Sequence, residues 1–176
     1  AEENPGEFHG IGQFDIDSGE PISSHKGFSS VFGKTMCDFA QQDKKICAIT
    51  AAMSTGTGLS DFSKLYKERF FDVGIAEEHA VTFGCGLASR GMRPVFAVYS
   101  TFLQRSYDNL LHDVALQKLG GLLLIDRAGF APEDGATHHG IYDAAFLSQL
   151  GGITVYEPIS FSAFEAMIKK SLSSEG

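Results

Sequence analysis

The sequence contains no tryptophan, only five prolines and three cysteines, and no apolar run long enough to cross a membrane. The cysteines, Cys37, Cys47 and Cys85, are widely spaced and form no CxxC pair, which argues against a disulfide scaffold or zinc ribbon, and a reducing cytoplasm is expected. Positive charge is also scarce, since 14 Lys and Arg stand against 22 Asp and Glu. The net charge of −8 argues against a nucleic-acid partner. With no signal-peptide pattern at the start, we expect a cytoplasmic protein without a membrane partner.

The 176 residues suffice for one domain, and a chain of this size buries about 70% of its unfolded surface. Residues 1–26 contain glycine, proline and serine without a sustained period, and we interpret them as a linker or extended arm. Helical and extended patterns alternate from there on, which indicates one domain over residues 27–176.

The fold class follows from the order of these patterns. Strands that alternate with helices pair in parallel through right-handed crossovers. The apolar run LLLI at residues 122–125 lacks polar alternation, which is typical of a strand covered on both faces. The sequence therefore predicts an α/β fold, a parallel sheet flanked by helices on both faces, with ligands beyond the carboxyl ends of the strands. The predicted strands are 45–51, 70–75, 95–99, 121–126 and 153–156, and the predicted helices are 29–42, 59–69, 76–90, 103–119, 141–150 and 161–171.

Two adjacent carboxylates, Glu77 and Glu78, lie where the second strand leads into a helix. At helical spacing Glu77 shares the apolar stripe with Val81, whereas Glu78 shares a more polar flank with Thr82. A carboxylate on an apolar face needs a partner, which is a protein donor, a metal or a ligand. Acids also favour a helix N-terminus through the helix dipole, so a functional and a structural interpretation of Glu77 both stand.

The loops after the first and third strands carry further candidates. Gly56 and Gly58 lack a phosphate-binding signature, and a simple turn is the favoured interpretation. Tyr99 offers a hydroxyl, and Phe102 is either a flat apolar platform or a core residue. Arg105 lies off the apolar stripe of its helix and is either solvated or an anion clamp.

The loop of residues 126–140 is the richest in polar groups. A loop of this length in a compact domain is more often functional than spare. Arg127 is a candidate phosphate ligand, and His138 or His139 is a candidate proton carrier or hydrogen-bond donor. Zinc fits poorly because no cysteine is near and no helical histidine pair is evident, so the sequence predicts no metal site.

Several segments resemble the central, pyrimidine-binding domain of 1-deoxy-D-xylulose-5-phosphate synthases. They read DVGIAEEHAVTF (72–83), PVFAVYSTFLQRSYDNLLHDVALQ (94–117) and DRAGFAPEDGATHHGIYD (126–143), and FHGIGQFDIDSGEP (8–21) resembles the connector before that domain. The resemblance implies a transketolase-like fold in a transferase that condenses pyruvate with glyceraldehyde 3-phosphate to 1-deoxy-D-xylulose 5-phosphate and CO₂. The product of that family feeds isoprenoid, thiamine and pyridoxal synthesis.

The same resemblance implies thiamine diphosphate and Mg²⁺ as cofactors. Glu77 matches the glutamate that contacts N1′ of the aminopyrimidine and activates the cofactor, and Phe102 matches the aromatic residue that stacks on this ring. The cofactor then supplies the reactive carbon and accepts electrons, so that Glu77 acts without touching the substrate. The family commonly has Gln after this glutamate, whereas this chain has Glu78.

The resemblance also implies a substrate site. Tyr99 and Arg127 match positions near the phosphate of the aldehyde, and Arg105 matches an anion-facing arginine. Asp134 and His138 match positions linked to substrate binding and proton transfer, which makes His138 a second candidate catalytic residue.

The family's diphosphate- and Mg²⁺-binding domain, with its GDG…N signature, has no counterpart in this sequence, and neither does its C-terminal domain. We therefore expect about half a cofactor site, no activity of this chain alone, and dependence on the remaining domains of a homodimeric enzyme. Two alternatives stay open: the pyrimidine-binding domain of another thiamine enzyme, such as a transketolase or a pyruvate dehydrogenase of the β type, and a non-catalytic domain for assembly or ligand sensing.

Overall fold

The structure, a computed structural model, describes residues 14–20, 22, 27–131 and 135–173. A parallel four-stranded sheet in the order β2-β1-β3-β4 lies at its centre. The strands are β1 (Ile46–Thr50), β2 (Phe70–Asp72), β3 (Arg93–Tyr99) and β4 (Leu122–Asp126).

Helices connect the strands and follow the sheet. The α-helices are α1 (Phe28–Gln42), α2 (Ser60–Leu65), α3 (Glu77–Ala88), α4 (Ser100–Leu103), α5 (Tyr107–Asn109), α6 (Asp143–Leu147) and α7 (Phe161–Ser173). Short 3₁₀ turns cover Lys67–Arg69, Gln104–Ser106 and Ala136–His138, and a π-helical segment covers Leu110–Ala115. Residues 100–115 thus form one continuous but irregular helix of α, 3₁₀ and π turns, called here the irregular helix.

Both faces of the sheet are buried, because successive residues of a strand point to opposite faces. Ala48 and Val95 join an apolar cluster with α1, α2 and α7. Ile49 and Phe96, the next residues along, join a second cluster with α3, the irregular helix and α6. Every residue of β1 is buried, as expected of a strand covered on both faces. The predicted α/β class, a parallel sheet with helices on both faces, is confirmed.

The strands end level with each other at one edge of the sheet. Thr50 of β1 pairs with Asp72 of β2, and Tyr99 of β3 pairs with Asp126 of β4. The strand order reverses between β1 and β3, which makes their junction a topological switch point. Such a point opens a crevice beyond the carboxyl ends of the strands, and the loops after β1, β3 and β4 start there.

The predicted fifth strand at residues 153–156 is wrong. The segment joins no strand of the described sheet, and Thr154, Val155 and Tyr156 are exposed. Its apolar pattern is compatible with a strand, but pairing requires a neighbour and packing on both faces, which local sequence does not determine. Most of the predicted arm, residues 1–26, lies outside the described residues.

The predicted helix at residues 103–119 is also wrong in its start and its regularity. The helix begins at Ser100, directly after β3, and widens into the π segment Leu110–Ala115. A π turn carries one more residue than an α turn, so it depends on contacts that a 3.6-residue pattern does not reveal. In the described part of the chain, no helix is long and apolar enough to cross a bilayer.

Candidate active site

A buried carboxylate begins α3. Glu77 is 1% exposed, whereas its neighbour Glu78 is exposed, as the helical spacing predicted. One turn further, Ala80 and Val81 are buried in the cluster that packs on β1 and β3. Because Glu77 lies on the apolar stripe of α3, the packing of this stripe against the sheet buries its side chain. The helix dipole favours a carboxylate there, but burial of the charge is costly without a partner.

Arg105 is the partner of this carboxylate. The Arg105 Nη1 donates a hydrogen bond to the Glu77 Oε2 over 2.9 Å. The side chain of Glu77 is 2% exposed and that of Arg105 is 54% exposed, so the pair joins a buried anion to a cation that reaches solvent. The hydrogen bond to Glu77 and then the charge of Glu77 raise the pKa of Arg105, and the charge of Glu78 adds to this. Arg105 is therefore not simply solvated, because its guanidinium is paired with Glu77 while about half of its side chain reaches solvent.

Four predicted site residues meet beyond the ends of β3 and β4. The rings of Tyr99 and Phe102 stack with centroids 6.1 Å apart and planes 22° apart. The Arg127 Cζ lies 4.2 Å from the centroid of the Tyr99 ring, within the range of a cation–π contact. The rings of His138 and Phe102 pack in a T-shaped arrangement, with centroids 5.5 Å apart and planes 79° apart. We call these four residues the aromatic cluster, and its Phe102 packs on the same apolar core as α3.

The described part of the loop after β4 is held by backbone and side-chain hydrogen bonds. The backbone N–H of Gly129 donates to the carbonyl of Gly140 over 2.7 Å, and the N–H of Gly140 returns a bond of 2.8 Å. The Thr101 hydroxyl of α4 donates to the carbonyl of Thr137 over 2.9 Å. These bonds hold the 3₁₀ turn that carries His138 against the start of the irregular helix.

The two adjacent histidines point to different partners. His138 belongs to the aromatic cluster, whereas the His139 Nδ1 accepts a hydrogen bond from the backbone N–H of Ala131 over 3.1 Å. The ring of His139 also packs against Phe130. The structure therefore brings only His138 of the pair to the other candidates. Asp134, the remaining predicted site residue, lies outside the described residues.

Two contributors were missed by sequence reasoning. A Cβ at Gly56 would collide with the hydroxyl of Tyr99, so this glycine, interpreted as a simple turn, lets the tyrosine pack against the loop after β1. Its position after the strand at the switch point was the available signal. The Ser29 hydroxyl donates to the Asp126 Oδ2 over 2.6 Å, and no sequence pattern links residues this far apart.

Among the described residues, the three cysteines and the acidic side chains form no second candidate site. Cys47 and Cys85 are buried, and burial raises the pKa of each thiol to about 11. Cys37 is partly exposed, and burial raises its pKa as well. Among the residues that the structure describes, no three His, Cys, Asp or Glu side chains form a group that could hold a metal ion.

The fold and this site define the class of protein. Residues 25–176 match the family described as "Transketolase, pyrimidine binding domain", and the chain belongs to this family. Within it, the chain is similar to 1-deoxy-D-xylulose-5-phosphate synthases, and the resemblance seen in its motifs is confirmed. It is 53% identical over 98% of its length to the synthase of Clostridium kluyveri (strain NBRC 12016). It is 56% identical over 90% of its length to that of Syntrophotalea carbinolica. The chain spans 28% and 25% of the length of these two relatives.

Solved structures support the same fold. A split gene transketolase, described as an inactive beta4 tetramer, matches 87% of this chain with a TM-score of 0.76 and 28% identity, and half of its own chain is covered. A transketolase from Leishmania mexicana matches 87% of this chain with a TM-score of 0.77 at 15% identity, over 24% of its own length. The second likeness shows the fold alone.

Proposed function

We propose that this chain is the aminopyrimidine-binding part of a thiamine-diphosphate-dependent 1-deoxy-D-xylulose-5-phosphate synthase. The observation that carries the proposal is the buried carboxylate of Glu77 on the same apolar core as the aromatic ring of Phe102. The chain is 53–56% identical to 1-deoxy-D-xylulose-5-phosphate synthases, and this similarity supports a synthase over other thiamine enzymes. Because the chain spans about a quarter of these relatives, the remainder of the site is proposed to come from other domains.

The residues present fit the pyrimidine end of the cofactor. An aminopyrimidine is a flat aromatic ring with nitrogen atoms on its edge, so it needs an apolar surface for the face and a polar partner for the edge. Phe102 supplies the surface and Glu77 the polar partner. Within the described residues, the buried hydroxyls of Ser100 and Ser106 have no hydrogen-bond partner, and both belong to the irregular helix beside these residues. When bound, thiamine diphosphate supplies the reactive carbon and the electron sink for decarboxylation.

Glu77 is proposed to hold a proton at the pyrimidine edge. The apolar core around α3 excludes water from the carboxylate, which strengthens any hydrogen bond that the carboxylate makes. In the structure that bond goes to Arg105, which keeps the buried group charge-balanced. Since half of the Arg105 side chain reaches solvent, we infer that Arg105 also faces the anionic substrate, as the resemblance implies.

The aromatic cluster is proposed to receive the phosphorylated aldehyde. Arg127 offers a planar, permanently charged guanidinium whose geometry matches a phosphate, and a cation–π contact with the Tyr99 ring holds this guanidinium in place. His138 is proposed to move a proton to or from a substrate hydroxyl, with its Nδ1 within 2.9 Å of the Thr137 hydroxyl. Asp134 is proposed as a further substrate contact, on the resemblance alone.

The proposal extends to the whole enzyme. Pyruvate and glyceraldehyde 3-phosphate are its proposed substrates, and Mg²⁺ is proposed to bind outside this domain. We also propose a linker or extended arm at residues 1–26, a pyrimidine-binding domain at residues 27–176, a homodimeric assembly, a cytoplasmic location and a role in isoprenoid biosynthesis.

The test is a matched pair of substitutions in the full-length enzyme to which the domain is proposed to belong. Glu77→Gln removes the carboxylate but keeps the shape, and we expect turnover to fall about 10²–10⁴-fold, the range for loss of an acid–base group. Glu78→Gln changes the exposed neighbour in the same way and should leave turnover within a factor of two or so of the parent. Equal effects of the two substitutions, or unchanged turnover in Glu77→Gln, would refute the role of Glu77.

A further inference from the structure

The backbone of Arg127 is held in an unusual conformation. Its φ is +56°, in the left-handed region that residues with a Cβ adopt at a cost. A strained conformation of this kind persists only where neighbouring contacts determine it. Because the backbone of Arg127 directs its side chain onto the Tyr99 ring, the contacts that hold this backbone matter for the site.

Asp126 makes one of those contacts and is itself held in place. Its Oδ1 accepts a hydrogen bond from the backbone N–H of Arg127 over 2.8 Å, and its Oδ2 accepts one from the Ser29 hydroxyl over 2.6 Å. Each carboxylate oxygen of Asp126 therefore accepts a hydrogen bond, one from Arg127 and one from Ser29 at the start of α1. On the other side, the Arg127 carbonyl oxygen lies 2.8 Å from where a Cβ of Gly140 would be, so the peptide packs directly on that glycine.

The geometry assigns Asp126 and Ser29 as positioning residues that hold the Arg127 guanidinium over the Tyr99 ring, where it is proposed to bind the phosphate of the substrate. The inference rests on the proposed function for the identity of the anion, but not for the geometry. It adds two residues from α1 and β4 to the site, and neither would touch the substrate. Asp72, which ends β2, makes a comparable contact by accepting the backbone N–H of Ala52, whose φ is +60°.

Side-chain NMR of this chain tests the geometry directly. The ring current of an aromatic ring shifts the N–H and methylene signals of a guanidinium side chain above it upfield. The Arg127 signals should show this upfield shift, and Tyr99→Leu should abolish the shift. Asp126→Ala and Ser29→Ala should also remove or weaken the shift. Asp126→Asn should retain it, because the amide oxygen still accepts from Arg127 and its N–H₂ can donate to Ser29.

Asp72→Ala is the matched control. It also removes a strand-end carboxylate that accepts a hydrogen bond from a residue with positive φ, but that residue is Ala52 and has no guanidinium. It should leave the Arg127 signals in place. An unshifted Arg127 in the parent chain, a retained shift in Asp126→Ala, or an equal loss in Asp72→Ala would overturn the assignment. Ser29→Ala, which deletes one partly buried hydroxyl, keeps the test valid if Asp126→Ala does not fold.

The full-length enzyme provides a second measurement. Asp126→Ala should raise the KM for the phosphorylated aldehyde roughly ten- to a hundredfold, while the KM for pyruvate should change little. The reason is that a misplaced Arg127 weakens the binding of the phosphorylated substrate only. Equal changes in both KM values would contradict the positioning role. If the parent enzyme makes no deoxyxylulose phosphate, the proposed function fails, and the NMR result still decides whether Asp126 holds Arg127.

Discussion

Removal of Arg105 should destabilise the domain more than removal of its partner Glu77. The reason is the asymmetry of the pair, since the carboxylate is 2% exposed and the guanidinium is 54% exposed. In Arg105→Met the carboxylate stays buried without its charge partner. In Glu77→Gln no buried charge is left without a partner, because the amide is neutral and its oxygen can still accept the hydrogen bond from Arg105.

The magnitude follows from the geometry. Two unit charges about 4 Å apart attract by about 4 kcal/mol at an effective dielectric constant near 20. Solvent around the exposed half of Arg105 screens part of this attraction, as at other partly exposed pairs. Breaking a fully buried pair costs about 3–5 kcal/mol, so leaving the buried Glu77 carboxylate without its partner should cost about 2–3 kcal/mol. Glu77→Gln should cost about 1 kcal/mol or less, since a hydrogen bond between uncharged and charged groups remains.

Urea unfolding followed by far-ultraviolet circular dichroism measures both values, because the chain has no tryptophan to report by fluorescence. For a domain of this size, about 2–3 kcal/mol corresponds to a fall in Tm of roughly 4–12 °C. The double variant should recover most of the loss of Arg105→Met, since no buried charge is then left. A larger cost for Glu77→Gln than for Arg105→Met, or strictly additive costs in the double variant, would refute the reasoning.

Three further predictions concern other parts of the fold. Arg69 donates hydrogen bonds to the carbonyls of Ala40, Asp43 and Ile46, where α1 ends and β1 begins. Arg69→Met should therefore lower the free energy of unfolding by about 2–4 kcal/mol, while the same change at the exposed Arg90 should have little effect in the same urea titration. Gly140→Ala should cost about 1–3 kcal/mol because its Cβ meets Ser100, whereas Gly86→Ala in α3, where nothing lies within 4 Å, should be neutral or slightly stabilising by thermal unfolding. The pKa of about 11 for Cys47 and Cys85 means that the folded state holds their protons more tightly than the unfolded state, so their contribution to stability should be lost as the pH rises from that of an ordinary thiol towards 11. At neutral pH only Cys37 should react with a thiol reagent in the folded chain, and rapid reaction of all three would contradict the burial.

The chemistry-bearing residues were accessible to sequence reasoning because they follow predicted strands. Parallel strands bring their carboxyl ends to one edge, so the loops that carry Tyr99 and Arg127 were expected at the same edge of the sheet. That these two residues share one site was implied by the family resemblance. The burial of Glu77 and exposure of Glu78 also followed from the sequence, since helical spacing assigns adjacent residues to different faces.

The fifth strand and the regular helix at residues 103–119 were predicted wrongly for the same kind of reason. Pairing of residues 153–156 depends on a neighbouring edge and on burial of both faces, and neither is a property of the segment itself. The π segment Leu110–Ala115 depends on how the irregular helix packs against α3, which shifts residues relative to a 3.6-residue period.

The sequence by itself determined the α/β class, the edge at which the site lies and the types of residue available there, because periodicity and strand order act over short distances along the chain. Only the tertiary structure decided the partners. It paired Glu77 with Arg105, stacked Arg127 on Tyr99 and joined Ser29 to Asp126, which are contacts between residues far apart in sequence. Such pairings depend on how helices and loops pack on the sheet, and packing is a property of the whole fold.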